Sequence, residues 1–266
     1  MRAPAALRAA LPPVVTLLVL LALWQGAVAS GLLPSAVLPA PTRVAAAGTA
    51  DGADLLRNAG PTLLATLAGF ALSVSTAFVV ATALDFSRVL RGAILPLLVV
   101  SQTLPMIALA PLVVLWFGFG MLPKVLLVAF VTFFPMVVGL LRGFAAADPD
   151  GEHLLRSMGA ARGTVFRLVR LPSSLPSFFS ALRVSITYAV VGAIFAEYAG
   201  AVAGLGVYML SAKNVFRTDL VLAAVVVSSV LTLLLYAGVA LLERAAIPWL
   251  RVEQGRDRQP TPEAAR

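Results

Sequence analysis

Glu197 and Arg183 interrupt long apolar runs, and they are the residues of this sequence that most directly suggest chemistry. An ionisable group inside such a run marks a transport pathway or a charge pair, because leaving it alone in a low-dielectric medium is costly. Glu197 stands just before Gly200 and the Gly204-Leu205-Gly206 turn. Three readings of it stand: it lines the outer mouth of a pathway, it pairs with Lys213 or Arg217, or it is an interfacial carboxylate reaching water. Arg183 lies about 9 Å inside its apolar run at the helical rise, where snorkelling to the headgroups accounts for it. Gln102, Thr103 and Met106 flank Pro105 in the middle of another run. A proline there frees a carbonyl, so both pathway lining and hydrogen bonding between helices fit these residues. Tyr188 and Trp116 can stack on a planar ring, or they can anchor and pack at the interface.

Other chemistries are excluded by count. Cysteine is absent and histidine occurs once, at His153, which removes a thiolate nucleophile, a disulfide framework, a Cys/His zinc site and a histidine-based triad. No stretch has the spacing of a phosphate-binding loop, so the chain does not cradle nucleotide phosphates in that way. Asp85 and Asp148 fall at the ends of apolar runs, where they read as solvated, and the runs hold neither a carboxylate pair nor a ligand cluster. The expectation is a protein with no catalytic, cofactor-binding or metal-binding residues.

The elements that position these residues are set by hydropathy. Of the 266 residues 60% are hydrophobic and 12% charged, which places the chain in lipid. Six apolar stretches, residues 13–29, 62–84, 93–115, 125–141, 177–199 and 220–242, are each close to the ~20 residues a spanning helix needs. They lack the alternation of a barrel strand, so the expected fold is an all-α integral membrane protein of six helices, residues 1–250. On the second helix Ala65, Gly69, Ser73, Ala77 and Ala81 recur every four residues and make a smooth contact face. With the N-terminus inside, 15 of the 20 Lys and Arg fall on the cytoplasmic side, which puts both termini there. The net charge of +8 is scattered in short clusters between the spans, a topological pattern that argues against a nucleic-acid partner. The first stretch reads as a retained anchor, with a cleaved signal ending at Ala27-Val28-Ala29 as the alternative. Residues 30–60 run along the outer surface, with a short helix near Asp54–Asn58 leading into the second span. Residues 251–266 read as a disordered polar tail.

The largest loop on the cytoplasmic side, residues 142–176, is amphipathic. Leu154, Leu155 and Met158 share one helical face, Gly159 interrupts it, and Val165, Phe166 and Val169 form a second apolar face, so two short helices should meet at the glycine. A basic loop lying on anionic lipid would look similar. Gly159 followed at fixed spacing by Leu171-Pro172 resembles the EAA loop that marks permease subunits of bacterial binding-protein-dependent ABC importers. The acidic half departs from that pattern: the family's Glu falls at His153, and Glu152 lies one place early. Ser101-Gln102-Thr103-Leu104-Pro105, Ala110-Pro111-Leu112, Trp116-Phe117-Gly118-Phe119-Gly120 and Gly204-Leu205-Gly206 look like the branch importing nitrate, sulfonates, taurine and thiamine or flavin precursors. Thr218-Asp219-Leu220-Val221-Leu222-Ala223-Ala224, Leu242-Glu243-Arg244 and Pro248-Trp249 narrow the likeness to permeases for hydroxymethylpyrimidine or riboflavin.

The resemblance implies a type I ABC importer permease fold in the bacterial inner membrane. It also implies a second permease copy, a cytoplasmic ATPase dimer that handles ATP and Mg, and an extracytoplasmic solute-binding protein. Residues 152–172 would couple to the ATPase through Glu152, His153, Leu154, Leu155, Met158, Gly159, Ala160, Phe166 and Pro172. Gln102, Thr103, Met106, Tyr188 and Glu197 would be the candidates for the pathway lining. A secondary transporter driven by an ion gradient is the rival; it would need midplane ion-coupling groups and often shows inverted halves, and neither is present.

Overall fold

In a computed structural model of the chain, which describes residues 5–248, every regular element is helical. Five helices are long and apolar enough to span a bilayer: α1 (Ala5–Ala29), α3 (Gly52–Phe86), α6 (Met121–Ala145), the stretch ending in α9 (Leu171–Tyr198), and α11 (Thr218–Ala246). A short helix α2 (Pro41–Ala50) precedes α3. Proline in its first turn starts α2 with φ already set, and its missing N–H removes no helical bond there. The helix expected near Asp54–Asn58 leading into the second span is the first part of α3, which runs without a break from Gly52.

The third span departs from expectation. Residues 93–115 do not form one helix: α4 (Arg88–Ser101) and α5 (Met106–Phe117) meet at an angle of 102°. Pro105 causes the break, since it has no N–H to give and its ring collides with the carbonyl four residues back. Residues 102–105 leave the helix, with Thr103 N–H bonded to Val100 O at 3.0 Å in the last turn. The chain therefore crosses six times only if this bent pair counts as one crossing.

Helices α3, α6 and α9 form the core, and small residues decide how closely they approach. Ala65, Gly69, Ser73, Ala77 and Ala81 are all buried, as their four-residue spacing predicts. A Cβ on Gly69 would stand 2.5 Å from Val128 of α6, and one on Gly143 would stand 2.6 Å from the Ser174 backbone of α9. Any larger side chain would push these helices apart, because interiors packed this tightly have no slack. Helix α10 (Leu205–Asn214) packs with α2, α3 and α11 in a second, smaller cluster at the end of the bundle away from the large loop.

Candidate functional site

The loop between α6 and α9 folds as two short helices, α7 (Pro149–Ser157) and α8 (Arg162–Val165), hinged at Gly159. Asp148 caps α7, its carboxylate accepting from the N–H groups of Asp150 (3.1 Å) and Gly151 (3.3 Å). Gly159 adopts φ +82°, a left-handed conformation that an L side chain reaches only with strain, and it ends α7. Open space surrounds the glycine, so the requirement there is backbone conformation and not room.

Pro172 does not mark the start of a separate helix. The chain stays helical from α8 through a π-helical turn, Phe166–Arg170, into α9, with Leu171 N–H donating to Phe166 O five residues back. The widened turn already disrupts the regular ladder where Pro172 lacks a donor, so the proline is carried without breaking the helix.

The loop is seated by charges and rings. Arg170 donates to both carboxylate oxygens of Glu152 (2.6 and 3.0 Å) and to both of Asp85 at the end of α3 (2.8 and 2.8 Å). One guanidinium thus ties α7, α3 and the start of α9 together through its planar fork. That bond to Arg170 is the main cause holding the Glu152 carboxyl below its ordinary range. Phe166 is buried between the rings of Phe86 and Phe144, with centroids 5.3 and 5.2 Å away. Two expectations are corrected here. Glu152 and Phe166 face inward and anchor the loop, because each finds a better partner inside the chain than in solvent. Asp85 is not solvated: Arg170 covers it and leaves its side chain 9% exposed.

The outward face carries the remaining loop residues. Leu154 is 63% and Met158 75% exposed; His153, Gly159 and Pro172 are exposed as well, and Leu155 and Ala160 are half-buried. Leu154 and Met158 stand one helical turn apart, so together they leave a small apolar surface open on the outward face.

At the far end of the bundle Glu197 is buried, and its partner is Lys124 of α6 at 3.4 Å rather than Lys213 or Arg217. Thr62 of α3 donates to the carboxylate (2.9 Å) and accepts from Leu205 N–H (2.8 Å), and Gly206 N–H donates to Glu197 Oε2 (2.8 Å). Lys124 also donates to Ala203 O at 2.7 Å. Glu197 therefore braces α3, α6, α9 and the turn into α10 instead of facing an open mouth. A Cβ on Gly204, which has φ +138°, would run into the Glu197 carboxylate. Arg183 does not snorkel: it pairs with Glu243 of α11 and lies over the Tyr236 ring. Pairing inside the bundle avoids leaving a charge in lipid.

Three of the other candidates, Gln102, Thr103 and Met106, lie at the α4–α5 break. Gln102 and Thr103 are exposed at it. Met106 lies over Gly192 of α9, its Cε 3.3 Å from where a Cβ would stand. Tyr188 is one helical turn before Gly192 and exposed, and Trp116 is exposed near the end of α5. Sequence reasoning missed Arg170, Lys124 and Thr62. Their partners lie 18 to 135 residues away, so no local spacing announces them.

Comparison with known proteins agrees with this architecture. Residues 69–247 match the family described as binding-protein-dependent transport system inner membrane component. The chain is 33% identical over 242 residues to the formylaminopyrimidine transport permease of Halalkalibacterium halodurans, covering 90% of this chain and 96% of that one. It is 34% identical over 237 residues to the riboflavin transport system permease of Chloroflexus aurantiacus, covering 88% of each. With the taurine transport system permease of Escherichia coli K12 it shares 31% over 248 residues, again 88% of each. The fold is similar to a crystal structure of an amino acid ABC transporter with histidines, at TM-score 0.61 and 18% identity, covering 74% of this chain and 96% of that one. Proteins of this kind are transporter permeases and not enzymes. An all-helical bundle with a glycine-hinged loop, matched by family and by relatives over most of its length, is a membrane-spanning permease subunit of an ABC importer: the chain belongs to the family of binding-protein-dependent transport system inner membrane components.

Proposed function

We propose that this chain forms half of a solute pathway, completed by a second copy of itself, and that α7 and α8 transmit the motion of a separate ATPase dimer to it. In this reading both termini are cytoplasmic, and the ATPase handles ATP and Mg. A binding protein delivers solute at the opposite surface, near α10. The observation that carries the proposal is the exposure of Leu154 and Met158 on a helix that Arg170 ties to α3 and α9. An apolar knob of this kind fills a partner's pocket, and its clamp passes displacement to two spanning helices instead of dissipating it in a slack loop. Closure of the ATPase dimer would tilt α3 and α9 together and open the pathway outward, and hydrolysis would reset it.

For the solute, the reading is a small planar heterocycle such as a pyrimidine precursor of thiamine or a flavin. Two features support it: the formylaminopyrimidine and riboflavin permeases are among the relatives, and the candidates Gln102, Thr103, Tyr188 (exposed) and Met106 (half-buried) are neutral, with one aromatic ring. A sulfonate or nitrate would favour a cation on that face.

The test reconstitutes the chain with its ATPase and binding protein in vesicles. Met158→Cys should cross-link to the ATPase, and ATP hydrolysis should be stimulated by the pyrimidine or flavin and not by taurine. Uphill transport by the purified chain with no ATPase present would overturn the coupling role. Stimulation by taurine alone would overturn the solute assignment and leave the coupling role standing.

A further inference from the structure

A cavity of about 450 Å³ lies beneath the loop, between the end of α3, the start of α4 and α7. Five arginines line it: Arg88, Arg91, Arg156, Arg162 and Arg170. Its two carboxylates, Asp85 and Glu152, are already engaged by Arg170, with Arg156 a further 3.6 Å from Glu152. Arg162 is held with its guanidinium 5.8 Å from the centre of the Phe86 ring. Arg88 and Arg91 make no ion pair among the described residues, and both are exposed. The cavity therefore carries positive charge in excess, presented by planar forks suited to phosphate oxygens.

The same two arginines also head a second feature. An open groove of about 560 Å³ runs along α4, lined by Arg88, Arg91, Gly92, Leu95, Pro96 and Val99. These positions recur every three or four residues and so form a single helical face. From the first to the last the groove is about 16 Å long at the helical rise, which matches one leaflet of a hydrocarbon core about 30 Å thick. Gly92 opens its floor, since a Cβ there would meet nothing.

We infer that this is a binding site for an anionic phospholipid, with the phosphate of its headgroup in the arginine cavity and one acyl chain along the α4 groove. The continuity of charge and groove selects a lipid over a free anion: a small phosphate would use the cavity and leave the apolar channel idle. A lipid so placed would bridge Arg88 and Arg91 of α4 to Arg156 and Arg162 of the loop, so the coupling loop would rest partly on the bilayer itself.

The full chain, purified in mild detergent, is titrated with phosphatidylglycerol and with phosphatidylcholine of the same acyl composition, and retained lipid is counted by native mass spectrometry. Phosphatidylglycerol should be preferred. Replacing both Arg88 and Arg91 with Gln should weaken its retention about thirtyfold, at roughly fivefold for each surface arginine. Gly92→Leu, which fills the groove and leaves every charge in place, should weaken phosphatidylglycerol retention without altering the binding of inorganic phosphate. Thermal unfolding of both variants, at exposed positions, reports whether they fold. Equal retention of the two lipids, or unchanged retention by the double arginine variant, overturns the site. Full displacement by inorganic phosphate, or insensitivity to Gly92→Leu, overturns the lipid assignment in favour of a free anion. Self-cross-linking of Gly92→Cys between two copies with no lipid retained overturns it in favour of a permease–permease contact.

Discussion

Replacing Arg170 with Gln should free the loop from the bundle while leaving the spanning helices in place. The arginine makes four charged hydrogen bonds to two carboxylates whose side chains are 9% and 13% exposed, and it is itself 27% exposed. An exposed ion pair contributes up to ~1 kcal/mol, whereas stripping the partner from a buried pair costs ~3–5 kcal/mol. Arg170 lies between these limits, so the docked loop should lose about 2 kcal/mol, which raises the undocked population about thirtyfold. Hydrogen exchange of the full chain in lipid discs reads this directly, because the amides of α7 exchange through local opening. Adding Asp85→Asn and Glu152→Gln to the variant should restore much of the protection, since no unpaired carboxylate then remains. A change of less than about threefold in α7 exchange would refute the clamp, as would a triple variant no better protected than the single one.

Three further outcomes follow from the same structure. Glu152 is held below its ordinary value of 4.5 chiefly by the Arg170 hydrogen bond. Its contribution is therefore complete above that value and lost as pH falls beneath it, so α7 exchange corrected for intrinsic rates should be flat from about pH 8 to about pH 5 and rise in more acidic buffer. Gly159→Leu forces an L side chain into φ +82° at a cost of about 1–2 kcal/mol, and the chain should insert normally while hydrolysis and uptake, measured in vesicles, become uncoupled. Lys124→Met leaves Glu197 without its cation and should lower thermal stability by about 3 kcal/mol, with Glu197→Gln in the same chain recovering part of it; equal stability of the single and double variants would argue that the pair is not coupled.

Much of the architecture is legible along the chain. The apolar runs place the spanning helices because a bilayer requires backbone hydrogen bonds to close within each segment, and that requirement is local. The small-residue stripe of α3 and the glycine hinge of the loop are legible for the same reason: each is set by spacings of four residues or by one residue's φ. The third span shows where this reasoning stops. Its hydropathy, summed over a window, is that of a continuous helix, but Pro105 removes one bond and one van der Waals clearance, and the chain turns by 102°.

From the sequence alone come the membrane class, the helical composition and the place of the hinged loop, since hydropathy, residue type and local periodicity suffice for each. Only the tertiary structure decides which charges meet. Arg170 reaches Asp85 across 85 positions and Lys124 reaches Glu197 across 73; the arginine also draws Glu152 inward, and the second pairing withdraws one expected pathway residue from water. The physical reason is that a charge in a low-dielectric bundle takes whichever opposite charge the packing of helices brings near, and helix packing is set by side-chain shapes far apart in the chain.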